Sequence, residues 1–153
     1  MDQQENIQVV VVKMAAEEYA LPITKVKDIN RILPITRMPQ TPSFMEGIVN
    51  LRGSIIPIVD LRERFHLPVV DNTEESRIVI VELKQRVFGM IVDGVKEVCS
   101  ILQKDIDLPP AAAKLDQECV YGIGKVDNRI LILLDVDKIF TDDEIKDINT
   151  MNG

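Results

Sequence analysis

The stretch that decides the fold is Gly47-Ile48-Val49-Asn50-Leu51-Arg52-Gly53-Ser54-Ile55-Ile56-Pro57-Ile58-Val59-Asp60-Leu61-Arg62-Glu63-Arg64-Phe65, because it recurs. Shifted by 75 residues, it lies without a gap over residues 122–140, and Gly47/Gly122, Ile48/Ile123, Ile55/Ile130, Asp60/Asp135 and Phe65/Phe140 are identical. A second offset, 69 residues, lays 9–14 over 78–83, 19–23 over 88–92 and 26–29 over 95–98. Aliphatic matches come cheaply in so aliphatic a chain, but paired glycines, aspartates and phenylalanines do not. Repetition at a fixed period has to be read before single elements are named. It gives two copies of one β-rich unit, approximately 7–67 and 77–140, within a domain spanning 7–140. Residues 141–153 are left as a C-terminal helix or tail. Strand exchange between the two subdomains is left open.

The elements within each copy agree. Residues 7–14 and 77–83 are β-branched runs, apolar enough for strands buried on both faces. Polar turns, Ala15-Ala16-Glu17-Glu18 and Lys84-Gln85, lead into second strands. Arg52-Gly53 and Asp127-Asn128 are two-residue links, each flanked by strand-like runs, and Gly tolerates the positive φ that such hairpins require. Pro57 cannot donate to a ladder, which predicts an edge position or a bulge. Asp60 and Asp135 are placed to N-cap short helices, and Glu63 has capping-box spacing from Asp60. Thr141-Asp142-Asp143-Glu144 is a second capping box, opening a short acidic helix. Residues 34–42, 68–76 and 103–118 are connections. Closely spaced strands with tight turns imply small closed barrels, and two repeats imply two of them, so the fold class is mainly β.

Composition narrows the function. Val, Ile and Leu make up 50 of 153 residues, the aromatics number six, there is no Trp, and the formal charge is −7. That apolar content argues against disorder. A pI near 4.7 argues against gripping nucleic-acid backbones, and six aromatics leave little for base stacking. The longest uncharged stretch, eight residues from Met38 to Met45, is far short of the roughly 20 that a membrane helix needs. The acidic start Met1-Asp2-Gln3-Gln4-Glu5 is no signal-peptide n-region. Cys99 and Cys119 lack CxxC spacing and read as two buried or half-buried thiols of a reducing cytosol. The expected location is cytoplasmic.

The residues offer no catalytic constellation. His66 is the single histidine, no Ser sits in a GxSxG elbow, and neither GxGxxG nor GxxxxGK[ST] occurs. Gly122-Ile123-Gly124 is a fragment of such a loop but sits in a strand. Asp142-Asp143-Glu144 lacks EF-hand spacing. No cofactor and no metal are expected. Two features remain. Arg52 stands at a hairpin tip where the second copy has Asp127, a charge opposition that marks a place where the copies could diverge in role. Val26, Ile29, Ile32 and Ile35 form an aliphatic stripe at near-helical spacing, which reads either as core or as the lining of a groove between the barrels that receives a partner helix.

The stretch from Phe44 to Phe65, with its Asn-Leu-Arg-Gly core, resembles the CheW family of bacterial chemotaxis coupling proteins. Arg86-Val87-Phe88-Gly89-Met90-Ile91-Val92-Asp93-Gly94-Val95, Gly122-Ile123-Gly124 and Ile130-Leu131-Ile132-Leu133-Leu134-Asp135 are similar to the family as well, so the likeness spans about 7 to 140. It implies two SH3-like five-stranded barrels and an adaptor rather than an enzyme. The implied partners are the cytoplasmic hairpin tip of methyl-accepting chemoreceptors and the regulatory domain of the histidine kinase CheA. The implied location is cytoplasmic, recruited to membrane-associated receptor arrays. Arg52 matches the family's coupling arginine, and Val26 and Asp28 match positions associated with receptor or kinase contacts. Gly47 and Gly53 match motif glycines. Ile29, Ile35 and Asn50 complete the expected protein-binding set. The alternatives are a CheW-like coupling module of a gliding or pilus pathway, or a generic barrel interaction module.

Overall fold

The computed structural model describes residues 6–39, 43–68, 70–108, 119–140, 143, 144 and 146. Their strands are β1 (Asn6–Met14), β2 (Glu17–Pro22), β3 (Val26–Arg31), β4 (Met45–Leu51), β5 (Ser54–Asp60), β6 (Arg77–Leu83), β7 (Arg86–Val92), β8 (Gly94–Leu102), β9 (Ile106–Asp107), β10 (Val120–Val126) and β11 (Arg129–Leu134). One short helix, α1 (Leu61–Arg64), follows β5. The strands form two sheets, ordered β8-β1-β2-β11-β10-β9 and β3-β6-β7-β5-β4.

The β-branched runs explain why the sheets sit as they do. Successive strand side chains point to opposite faces. In β1, Val9 and Val11 enter one cluster with Ala20, Ile101, Leu131 and Leu133, all from the first sheet. Val10 and Val12 enter another, shared with Val79, Val81, Phe88 and Met90 of the second sheet. β6 repeats this, sending Ile78 and Ile80 into a cluster with Val49, Ile56, Ile58 and Ile91. Each sheet therefore curls around its own aliphatic interior, and the shared cluster glues the two together. Tyr19, Phe44, Phe65, Phe88 and Phe140 all lie in that shared cluster, with Phe140 between Phe44 and Phe88 at centroid distances of 5.2 and 5.5 Å. The second curl is closed by a bridge in which Thr36 and Ile48 exchange backbone hydrogen bonds of 2.9 Å. These are the two small SH3-like barrels expected, the sixth strand of the first being the two-residue β9.

The pairing follows a swapped symmetry. The hairpin β1–β2 of the first copy is held between β8 and β11 of the second, while β6–β7 of the second copy is held between β3 and β5 of the first. The parallel pairs β2·β11 and β5·β7 are equivalent. So are the bulges, which place Lys27 and Lys96, and Glu46 and Tyr121, as extra residues. Asp60 and Asp135 both cap the turn that follows, accepting from the backbone N–H of Arg62 and Asp137. Asp60 caps a four-residue α-helix, whereas Asp135 caps a single 3-10 turn.

Pro57 does not mark an edge or a bulge. β5 is an internal strand, and Pro57 lies opposite Ile48, whose N–H and C=O are both engaged by Thr36. The ladder with β7 begins one residue later, at Ile58, so the missing N–H falls outside both ladders. Of the connections, residues 40–42, 69 and 109–118 lie outside the described set. So do Thr141 and Asp142 of the second capping box, while Asp143, Glu144 and Lys146 are helical.

A buried ion network fastens the barrels. The Arg62 guanidinium, 3% exposed, forks onto Asp60 with Nε–Oδ1 and Nη2–Oδ2 distances of 3.0 Å, and its Nη1 donates to Asp93 Oδ1 at 3.0 Å and to the Val70 carbonyl at 2.9 Å. Asp93 reaches the other sheet: its Oδ2 accepts from Ala15 N–H at 2.7 Å and its N–H donates to the Lys13 carbonyl. Burial works against the guanidinium's charge, but Asp60 and Asp93 outweigh it and hold the Arg62 pKa above the ordinary arginine value. Arg62 and Asp93 escaped the sequence reading. The one local signal was an arginine two residues after an N-cap aspartate.

Candidate functional site: the Arg52 hairpin tip

The tip between β4 and β5 is a two-residue turn in which Arg52 and Gly53 both take positive φ, 51° and 87°. Asn50 pins it, its Oδ1 accepting from Gly53 N–H at 2.9 Å. On this fixed platform the Arg52 side chain stands 75% exposed, with Nη2 3.2 Å from Asp28 Oδ2. Asp28 is itself held, since it accepts from the Asn30 side-chain amide at 3.1 Å and from Ile29 N–H at 2.9 Å. Those donors, the amide foremost, keep its carboxyl below the usual aspartate range, and the Arg52 charge adds to them. The carboxylate is thus an oriented anchor, and the guanidinium keeps donors free for a partner.

The other expected residues divide. Gly47 is structural: a Cβ there would lie 2.1 Å from the Thr36 carbonyl oxygen, at a φ of 149°. Gly53 faces open space, so its backbone angle alone explains it. Ile35 is half-buried against the interior of the second barrel, as is Ile32. Val26 packs on the cluster shared by the barrels, and Ile29 is 36% exposed. The stripe is therefore neither all core nor one groove lining. Its first step of three residues arises from a bulge: Val26 lies opposite Val81 and Ile29 opposite Val79, with Lys27 as the inserted residue, so both face the same way. Of the four, Ile29 is exposed and the others are half-buried. Asn30, which orients Asp28, was missed because nothing in its spacing sets it apart from a solvated strand residue.

The second copy is built otherwise. Its tip, Asp127-Asn128, also takes positive φ, but the residue equivalent to Asp28, Glu97, pairs at 2.7 Å with Arg129, which is 28% exposed. Elsewhere, His66 is exposed in a left-handed conformation, its N–H donating to the Glu63 carbonyl. Cys99 is half-buried and Cys119 buried. Among the described residues there is no group of three or more metal-ligating side chains, and no helix is long and apolar enough to cross a membrane.

Fold and site together define a double-barrel interaction module whose distinctive surface is a rigid arginine-bearing tip. Comparison with known proteins gives the family. A CheW-like domain matches residues 8–144. The chain is 38% identical over 130 residues to a chemotaxis protein CheW of Klebsiella aerogenes, covering 84% of this chain and 78% of that one. It is 32% identical over 142 residues to one of Helicobacter pylori, covering 93% and 86%. The crystal structure of the scaffolding protein TtCheW from Thermoanaerobacter tengcongensis superposes with a TM-score of 0.85 at 38% identity, covering 92% of this chain and 96% of that one. The chain belongs to the CheW-like family.

Proposed function

We propose that this protein is a chemotaxis adaptor that couples methyl-accepting chemoreceptors to the histidine kinase CheA and permits receptor control of kinase activity. The observation that carries the reading is Arg52, exposed on a tip that Asn50 and Asp28 hold in place, at the position where the CheW pattern has its coupling arginine. The barrels supply separate surfaces on one body, joined by the shared core and by the Arg62–Asp93 network. An adaptor of this kind needs no catalysis of its own. It changes kinase activity only in so far as each partner binds two array states with different free energy. The receptor's cytoplasmic hairpin tip and the kinase's regulatory domain are the proposed partners, and cytoplasmic receptor arrays the proposed location. The test is reconstitution from receptor fragments, CheA and this protein. Kinase stimulation that requires all three supports coupling; equal activity with and without the protein contradicts it.

A further inference from the structure

Arg31 and Arg77 lie directly opposite each other across β3 and β6. Directly opposed residues share a face with Cβ atoms about 5 Å apart, and like charges there are destabilising. No carboxylate among the described residues pairs with Arg31. Arg77 donates through Nη1 to the carbonyls of Glu74 and Ser76, both at 2.7 Å, which fixes its guanidinium without neutralising it. The two line a cleft of about 460 Å³ with Ile32, Thr73, Glu74 and Ser76. Glu74 forms an ion pair with neither arginine among the described residues. The rim is braced, with Thr73 N–H donating to Ser76 Oγ and Glu75 N–H to Thr73 Oγ1. Several other cations of this acidic chain do have acids, among them Lys25–Asp137, Lys27–Glu82, Lys125–Asp107 and Arg129–Glu97.

Val79 and Val81, on the same face, are buried in the shared core, so the pair stands at the open end of that face, where Arg31 is exposed and Arg77 half-buried. A repulsive pair there costs stability, and such a cost at the surface is where function is to be sought. The neighbourhood says what the pair receives. Ile29, two residues before Arg31 and opposite Val79, is on the same face and exposed. An exposed aliphatic beside two arginines is the composition of a protein interface. Planar guanidinium forks match carboxylates. We propose that Arg31 and Arg77 dock the carboxylates of an acidic segment of a partner protein, whose apolar side chain rests on Ile29. The assignment goes beyond the adaptor reading and does not depend on which partner supplies the segment.

The test is an NMR titration of the full ¹⁵N-labelled chain with an end-blocked hexaglutamate peptide, and separately with inorganic phosphate at matched ionic strength. The peptide is expected to shift the side-chain Nε–H signals of Arg31 and Arg77 saturably, and phosphate to shift them much less. Arg31→Glu should weaken the peptide response by at least about tenfold. The same substitution should raise the melting temperature by about 1–3 °C, because it places opposite charges across the strands. Four results would each overturn the proposal: no saturable shift, an undiminished response in Arg31→Glu, phosphate as effective as the peptide, or a lowered melting temperature.

Discussion

Asp28 and Glu97 occupy equivalent places in the two copies, 69 residues apart, yet take their arginines from different places. Asp28 meets Arg52 from the hairpin tip at 3.2 Å, whereas Glu97 meets Arg129 from within β11 at 2.7 Å. The first arrangement leaves a guanidinium projecting from a rigid tip; the second folds it against the sheet. This is the structural form of the charge opposition between Arg52 and Asp127, and it leaves the arginine of the first tip far more exposed than Arg129.

The donors on Asp28 set its titration. Its folded pKa lies below the 3.8 of an ordinary aspartate, the Asn30 amide being the largest cause and the Ile29 N–H the next. A lowered folded pKa contributes stability that is complete above the ordinary value and is lost as pH falls through the lowered one. The tip is therefore expected to be unchanged across the neutral range. A carboxyl-carbon NMR titration should give a midpoint below 3.8, and Asn30→Ala should move it up further than Arg52→Ala does. A midpoint at or above the ordinary value contradicts this geometry.

Arg62 should behave as a latch between the barrels. Arg62→Ala leaves Asp60, fully buried, without its partner, which costs about 3–5 kcal/mol. Asp93→Asn keeps the shape and should cost less. Urea denaturation reads both; a loss below about 1 kcal/mol for Arg62→Ala would mean that the network carries no net stability.

At Gly47 the clash is with backbone. Gly47→Ala should cost about 1–3 kcal/mol and speed hydrogen exchange at the Thr36 and Ile48 amides, which form the closing bridge. Unchanged protection of those two amides would show that the bridge tolerates a Cβ.

Ile29 and Val26 make a contrasting pair. Ile29→Glu, on an exposed site, should melt within about 2 °C of the wild type and weaken partner binding. Val26→Glu places a charge against the shared core and should lower stability by several kcal/mol. Equal melting temperatures for the two variants would refute the division of the stripe.

Much of this was legible because it is local. Turn chemistry at Arg52-Gly53, N-caps at Asp60 and Asp135 and the β-branched runs each declare themselves within a few residues. What stayed hidden is long-range. The repeat aligns β1–β2 with β6–β7 but does not say which copy lends its hairpin to which sheet, since Val9–Val12 and Ile78–Val81 present equally aliphatic faces to either. The Arg62–Asp93 contact spans 31 residues with no periodicity to announce it. The stripe from Val26 starts at near-helical spacing because the bulge at Lys27 turns a strand's two-residue period into a step of three. For the candidate site, the tip residue and its glycine could be read from the motif, while the Asn30–Asp28 hydrogen bond that orients them could not.

The central claim is tested most directly by Arg52→Ala in the reconstituted mixture of receptor fragments, CheA and this protein. An exposed ion pair is worth at most about 1 kcal/mol, so the variant should fold and melt nearly as the wild type does. It is expected to lose receptor-controlled kinase stimulation while remaining folded. Stimulation equal to the wild type, with the fold intact, would contradict the account.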